Sequence, residues 1–200
     1  MAKTLEFIFD FGSPNAYLAW RALPPVLERT GAAVKVMPCL LGGIFKATNN
    51  QGPTVAYAPI KGKMEYERLE FARFLRRHAL ARFRLNPHFP VNSLLLMRSL
   101  IAAQKLGVAD RFIEMGLAAM WEQGLKMDDP AVAAKAYADA ALDADALIAG
   151  AADPAIKAEL AANTEAAVQR GAFGVPTFYV GGEMFFGKER LGQVEEELAK

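Results

Sequence analysis

Few side chains in this 200-residue chain can do covalent chemistry. It holds one cysteine, Cys39, and two histidines, His78 and His88. A lone thiol cannot close an intramolecular disulfide, and one Cys with two His is too small a set of soft ligands for a structural zinc site. Neither histidine has a serine or carboxylate at a spacing that suggests a triad, so neither is expected to be catalytic. Cys39 is expected to pack as a small hydrophobe. Ser13 is different. It sits in Phe11-Gly12-Ser13-Pro14-Asn15-Ala16, after a run with strand character and before a proline suited to the first position of a helix. A helix N-terminus favours an anion, and a serine hydroxyl there can donate a hydrogen bond to it. Local sequence equally allows a plain N-cap, because Asp129-Pro130 and Asp153-Pro154 repeat the pattern where no chemistry is expected.

The elements around Ser13 follow from periodicity. In residues 4–11, Leu5, Phe7, Phe9 and Phe11 alternate on one face, the pattern of a strand. The helix opened by Ser13-Pro14 is expected to run towards Arg29, with a kink or restart at Pro24-Pro25, where an interior proline removes a hydrogen bond. A second strand is expected over Ala33–Met37. From Gly42 to Pro59, Gly, Asn, Thr and Pro predict a long loop. Lys61 to Arg84 reads as one amphipathic helix with eight Lys or Arg and three Glu. That basic face is expected to be solvated and balanced by residues 128–165, with eight acids and two bases. Further helices are expected from Ser93 with Asn92 as cap, from Val108, from Pro130, near Asp143, and from Pro154 with Asp153 as cap. Gly171 closes the last of these. Residues 174–180 and 183–186 read as two strands joined by a Gly181-Gly182 turn, and Lys188–Ala199 as a final helix.

A βαβ start and a ββα finish therefore bracket a helical middle. By analogy the fold class is α/β, a thioredoxin-like fold with a large all-helical insertion between the two motifs. Residues 1–60 and 172–200 are expected to form the thioredoxin-like domain and 61–171 the inserted helical domain. Redox members of that fold carry Cys-x-x-Cys where this chain has Ser13-Pro14-Asn15-Ala16. Dithiol exchange is thus chemically unavailable.

The run Phe9–Ala19, the segment Phe89-Pro90-Val91-Asn92-Ser93, the run Gly174-Val175-Pro176-Thr177 and the ending Phe186-Gly187-Lys188-Glu189-Arg190-Leu191 together resemble the 2-hydroxychromene-2-carboxylate isomerase family, itself related to the kappa-class glutathione transferases. The likeness spans nearly the whole chain in family order. It implies a glutathione-dependent enzyme of aromatic-hydrocarbon breakdown that interconverts 2-hydroxychromene-2-carboxylate and trans-o-hydroxybenzylidenepyruvate. Addition of a thiolate to the conjugated alkene would let the bond turn before the thiolate leaves.

By this resemblance Ser13 is the catalytic serine that holds the glutathione sulfur as thiolate, and Val175-Pro176 is a cis bond whose preceding backbone pairs with the cysteinyl part. Phe186, Gly187, Lys188 and Glu189 match the segment for the γ-glutamyl end. Lys188 departs from the Asn or Ser common there, while Glu189 keeps an acid one methylene longer than the usual Asp. Asn50 matches a glutathione contact. Lys46 and Asn49 match substrate contacts, with Lys46 suited to a carboxylate as a point charge, and Phe89 an aromatic wall.

Composition agrees with a small partner. The net charge of +1 lacks the basicity of a nucleic-acid binder, and no stretch approaches the roughly 18 apolar residues of a membrane span. A cytoplasmic protein, a homodimer as in the related families, with glutathione and a small aromatic carboxylate as partners, is the expectation. Two alternatives stand beside it: a kappa-like transferase, and a non-catalytic thioredoxin-like module that binds peptides along the strand before Pro176.

Overall fold

The structure of the chain, a computed structural model, describes residues 3–200. Its sheet holds β1 (Thr4–Phe9), β2 (Ala33–Pro38), β3 (Thr177–Val180) and β4 (Glu183–Phe186) in the order β2-β1-β3-β4. β1 runs parallel to β2, with Thr4 opposite Ala33 and Phe9 opposite Pro38, and antiparallel to β3, with Phe7 opposite Phe178. β4 returns antiparallel beside β3. The predicted alternation holds, since Leu5, Phe7, Phe9 and Phe11 are all fully buried. The other face is covered too, at Ile8 and Asp10, as befits a central strand with helices on both sides.

After β1 come α1 (Pro14–Ala22) and α2 (Pro24–Thr30), which break at Leu23 where the sequence placed a kink. Gly31, at φ 63°, closes α2 in the left-handed region that glycine enters without steric cost. Between β2 and β3 lie α3 (Leu41–Thr48), α4 (Pro53–Ala56), α5 (Lys63–Arg77), α6 (Leu94–Lys105), α7 (Ala109–Trp121), α8 (Pro130–Asp139), α9 (Ala144–Ala152) and α10 (Pro154–Gln169). A short 3-10 turn over Lys188–Arg190 leads into α11 (Leu191–Leu198). The starts of α6, α8, α9 and α10 fall within a residue of where they are expected, each with a side-chain acceptor. Asp129 accepts from Ala131 N at 2.9 Å, Asp143 from Ala146 N at 3.0 Å and Asp153 from Ala155 N at 2.7 Å. Asn92 accepts from Leu94 N at 3.0 Å.

Two expectations fail. The long loop over 42–59 instead contains α3 and α4. Its Gly42-Gly43 pair argues against a helix by propensity, but the missing cap comes from far away in sequence: the Asp10 carboxylate accepts the Leu41 N–H at 2.6 Å. Gly43 is also needed, since a Cβ there would lie 3.0 Å from the Thr164 methyl where α3 crosses α10. The helix expected over 61–84 ends at Arg77. Ala79 takes a left-handed φ of 53°, and Leu80 N bonds back to Leu75 O. The following segment is pinned by Asn86, whose buried side chain donates to Met120 O and Leu125 O and accepts from His88 N. The ion pairs of α5, Lys63–Glu67 and Arg73–Glu70, lie within the helix.

The helical stretch is locked onto the sheet at Phe11. The Phe11 ring meets the Phe9 and Phe112 rings edge-on, its carbonyl accepts from Trp121 Nε1 at 2.9 Å, and it occupies the space a side chain at Gly116 would need. The turn carrying Ser13 is therefore held from both sides.

Candidate functional site

Ser13 is the N-cap of α1 and nearly fully buried. Its extended backbone turns the chain out of β1, and Pro14 at the first helical position contributes no N–H of its own. The Ser13 hydroxyl accepts from Ala16 N at 3.2 Å and donates to Val175 O at 3.0 Å. The hydroxyl thus caps α1 and also reaches a carbonyl 162 positions away. Next to it, the Asn15 Oδ1 is buried without a hydrogen-bond partner. A buried amide oxygen left unpaired costs free energy unless a donor arrives.

Val175–Pro176 is cis, as the resemblance implies, and Phe89–Pro90 is cis as well. Pro176 O accepts from Gly187 N at 3.0 Å, which draws the β4 end against the start of β3. Gly187 has φ 95°, a backbone conformation that favours glycine, and a Cβ there would lie 3.0 Å from the movable Glu189 Oε2. Phe186, 41% exposed, packs its ring 4.4 Å from that of Phe173 and over Gly174, where a Cβ would come within 2.9 Å of it. The Phe45 ring of α3 borders the same glycine.

Lys188 is buried. Its ammonium lies over the faces of Phe71 and Phe74 of α5, 5.8 and 5.5 Å from the ring centres, and is ion-paired with Glu189. The half-exposed Glu189 carboxylate is thereby aimed back over Gly187. Asn50 donates to Phe173 O at 2.8 Å and accepts from Gln51 N, fixing the end of α3 beside the Phe173–Phe186 pair. Asn49 closes α3 at φ 52°, and Lys46 stands exposed on the same helix without an ion pair among the described residues. Phe89, 39% exposed, tilts against Trp121 at 5.9 Å. The structure thus joins Ser13 to Val175, Pro176 to Gly187, Lys188 to Glu189, and Asn50 to the Phe173–Phe186 pair. Among the described residues no side-chain hydrogen bond, ion pair or ring pair links Lys46, Asn49 or Phe89 to these.

Several participants escaped the sequence reading. Asp10, fully buried, accepts from Gly12 N at 2.8 Å and Leu41 N at 2.6 Å and faces the Ser93 hydroxyl. One carboxylate thereby ties the Ser13 turn to the starts of α3 and α6. Burial pushes its pKa above the ordinary carboxylate value, against the lowering effect of those donors. Cys39 is buried, and its thiol is pushed up to about 12, chiefly by desolvation and then by Asp10. It stays protonated and unreactive at neutral pH. Tyr17, one turn beyond Ser13, donates to Glu122 at 3.1 Å within an aromatic group of Phe71, Phe83 and Trp121. Asp10, Asn15 and Tyr17 lie in the Phe9–Ala19 run without any local signal of a role, and Asp10, Phe45 and Tyr17 act through partners distant in sequence.

A four-stranded sheet in this order, with the first helix opening beneath the strand that starts at a cis proline, defines a thioredoxin-like protein, here with serine in place of the redox sulfur. Residues 4–199 match the DsbA-like thioredoxin domain. The chain is 31% identical to a 2-hydroxychromene-2-carboxylate isomerase of Sphingobium xenophagum over 99% of both sequences. It is 29% identical to glutathione S-transferase kappa 1 of Homo sapiens, across 96% of this chain and 88% of that one. The solved structure of a 2-hydroxychromene-2-carboxylate isomerase overlays on it with a TM-score of 0.81 at 25% identity, covering 96% of this chain and 93% of that one. The chain belongs to the DsbA-like thioredoxin family, in the branch of the 2-hydroxychromene-2-carboxylate isomerases and kappa-class glutathione transferases.

Proposed function

We propose that the protein is a glutathione-dependent isomerase of aromatic carboxylates that interconverts 2-hydroxychromene-2-carboxylate and trans-o-hydroxybenzylidenepyruvate. The observation that carries this reading is the buried Ser13 hydroxyl at the N-terminus of α1, 3.0 Å from the Val175 carbonyl, with no cysteine beside it. The residues present fit glutathione. The Val175 carbonyl has a second lone pair for an amide N–H, the orphaned Asn15 oxygen awaits a donor, and Glu189 offers a half-exposed carboxylate for an ammonium.

Glutathione supplies a recyclable thiol nucleophile. The Ser13 hydroxyl turns from Val175 O to donate to the sulfur, and the α1 dipole adds to the anion's stability. Lowering a thiol pKa of about 8.5 by one unit needs about 1.4 kcal/mol, within reach of these two effects. Val175 backbone and Asn50 orient the tripeptide, and Phe186 and Gly187 shape the seat of its γ-glutamyl end. Lys188 holds Glu189 in place there. Lys46 attracts the substrate carboxylate, Asn49 hydrogen-bonds its polar edge, and Phe89 walls its ring. The protein's own thiol, Cys39, plays no part.

Calorimetric titration with glutathione, followed by a spectrophotometric isomerisation assay with free thiol quantified before and after, tests the reading. Expected are binding, isomerisation and unchanged total thiol. Loss of thiol in step with substrate points instead to a transferase, and absence of glutathione binding overturns both.

A further inference from the structure

A second site lies away from Ser13. Two cavities of about 530 and 400 Å³ flank the start of α6, and Leu94, Arg98 and Lys157 line both. The larger lies between α3, α6 and α10, and its floor is apolar, made by Leu40, Leu160 and Val168. Its frame is stiff. Leu40 N donates to Thr164 Oγ1 at 2.9 Å, and Gly43 packs directly on the Thr164 methyl. A pre-formed apolar recess with a few convergent polar groups is the usual architecture of a small-molecule site.

The polar groups are two cations lacking anions. Arg98 Nε is buried with no hydrogen-bond partner, and neither Arg98 nor Lys157 forms an ion pair among the described residues. Of the acids on the rims, Asp128 is paired with Lys126 at 2.8 Å, and Glu165, which lines the larger recess, accepts from the neighbouring Gln169 at 3.3 Å and pairs with neither Arg98 nor Lys157. A guanidinium whose buried N–H is unpaired, at an apolar wall, is a planar donor fork awaiting a carboxylate. We propose that the α3–α6–α10 recess binds an organic carboxylate with an apolar body of one or two rings, its carboxylate on Arg98 and Lys157 and its body against Leu40, Leu160 and Val168. None of the residues assigned above to glutathione or substrate lines this recess, so the site is a second one.

The test is calorimetric titration of the full chain with 2-naphthoate and with its neutral analogue 2-naphthamide. The expected result is a 2-naphthoate isotherm in the Lys46→Ala protein, in which the carboxylate contact proposed for the Ser13 cleft is removed. In that background Arg98→Gln weakens binding at least tenfold, Lys157→Gln weakens it by a smaller factor, and the amide binds at least tenfold more weakly than the acid. Ala161→Trp, which fills the recess from an exposed position on α10, abolishes the isotherm without touching either cation. Naphthoate binding that is lost with Lys46→Ala, that is unchanged by Arg98→Gln and Ala161→Trp, or that is matched by the amide overturns the proposal. Should Arg98→Gln fail to fold, Lys157→Gln and Ala161→Trp decide it.

Discussion

The Ser13 hydroxyl donates to the Val175 carbonyl at 3.0 Å while accepting the Ala16 N–H at 3.2 Å, so one oxygen caps α1 and ties it to the start of β3. The structural and chemical roles of Ser13 can be separated because they differ in size. A lost N-cap costs about 1 kcal/mol, whereas loss of a charge-assisted donor to a thiolate acts on turnover. Ser13→Ala, which loses both the cap and the Val175 hydrogen bond, is expected to lower glutathione-dependent isomerisation at least tenfold while costing about 2 kcal/mol of stability, read by urea denaturation beside the assay. Unchanged turnover would remove Ser13 from the chemistry.

The parts of this site that were legible in the sequence are those specified by local rules. The break between α1 and α2 is written in Pro24-Pro25, and the caps of α8, α9 and α10 in Asp129, Asp143 and Asp153. The strands themselves and the Ser13 turn followed from periodicity and motif, and the thioredoxin-like topology from analogy. What stayed hidden is non-local. α3 looks like a loop because its N-terminal partner is Asp10, 31 positions earlier. The end of α5 falls on an alanine in left-handed conformation, which no propensity scale would choose. Lys188 reads as the first residue of a final helix, in the segment matched to the γ-glutamyl end, and nothing local foretells its burial against Phe71 and Phe74, which only the docking of α5 brings near.

Asp10 gives a pH signature. Its folded pKa is raised, mainly by burial, so folding favours the protonated acid. The stability this contributes is fully present below the unfolded value of about 3.8 and is lost as pH rises through the raised folded value. Exposed acids such as Glu195 and Glu197, held low by hydrogen bonds from Arg29 and Lys200, shift in the opposite sense and mask it in the wild type alone. The informative quantity is the stability of wild type minus that of Asp10→Asn. It is expected to favour wild type most near pH 3 and to decline towards neutrality, measured by urea unfolding across that range. A difference that grows with pH would show Asp10 to be stabilised as the carboxylate.

Cys39 is expected to be inert. With the thiol pushed up to about 12, about one molecule in 10⁵ carries a thiolate at pH 7, and the side chain is buried against the Asn163 carbonyl at 3.4 Å. An aromatic disulfide reagent should label it only after denaturant is added, and Cys39→Ala should keep isomerase turnover within about twofold, in line with a thiol that does no chemistry. Rapid labelling of the native protein, or loss of turnover in the variant, would reopen the case for an internal nucleophile.

Glu122, at the end of α7, gathers Tyr17, Arg21 and Arg82 around one carboxylate. Its side chain is 5% exposed, and its Oε1 accepts from Tyr17 and Arg21, each at 3.1 Å. Arg82 Nη2 lies 2.6 Å from Oε2, although no N–H points squarely at that oxygen. The partners are unequal. Arg82 is 78% exposed, so Arg82→Ala is expected to cost no more than about 1 kcal/mol. Glu122→Ala strips the acceptor from Tyr17 and one of two counter-charges from the half-buried Arg21, which keeps Glu114, and is expected to cost about 2 kcal/mol. A spectroscopic readout separates charge from packing. The Tyr17 hydroxyl is raised above 10, first by burial and then by the Glu122 charge. Glu122→Gln keeps the shape and removes the charge, so the Tyr17 phenolate should appear at lower pH than in wild type, by ultraviolet titration. If the two titrations coincide, the carboxylate is not acting on Tyr17 through its charge, and the cluster is held by packing alone.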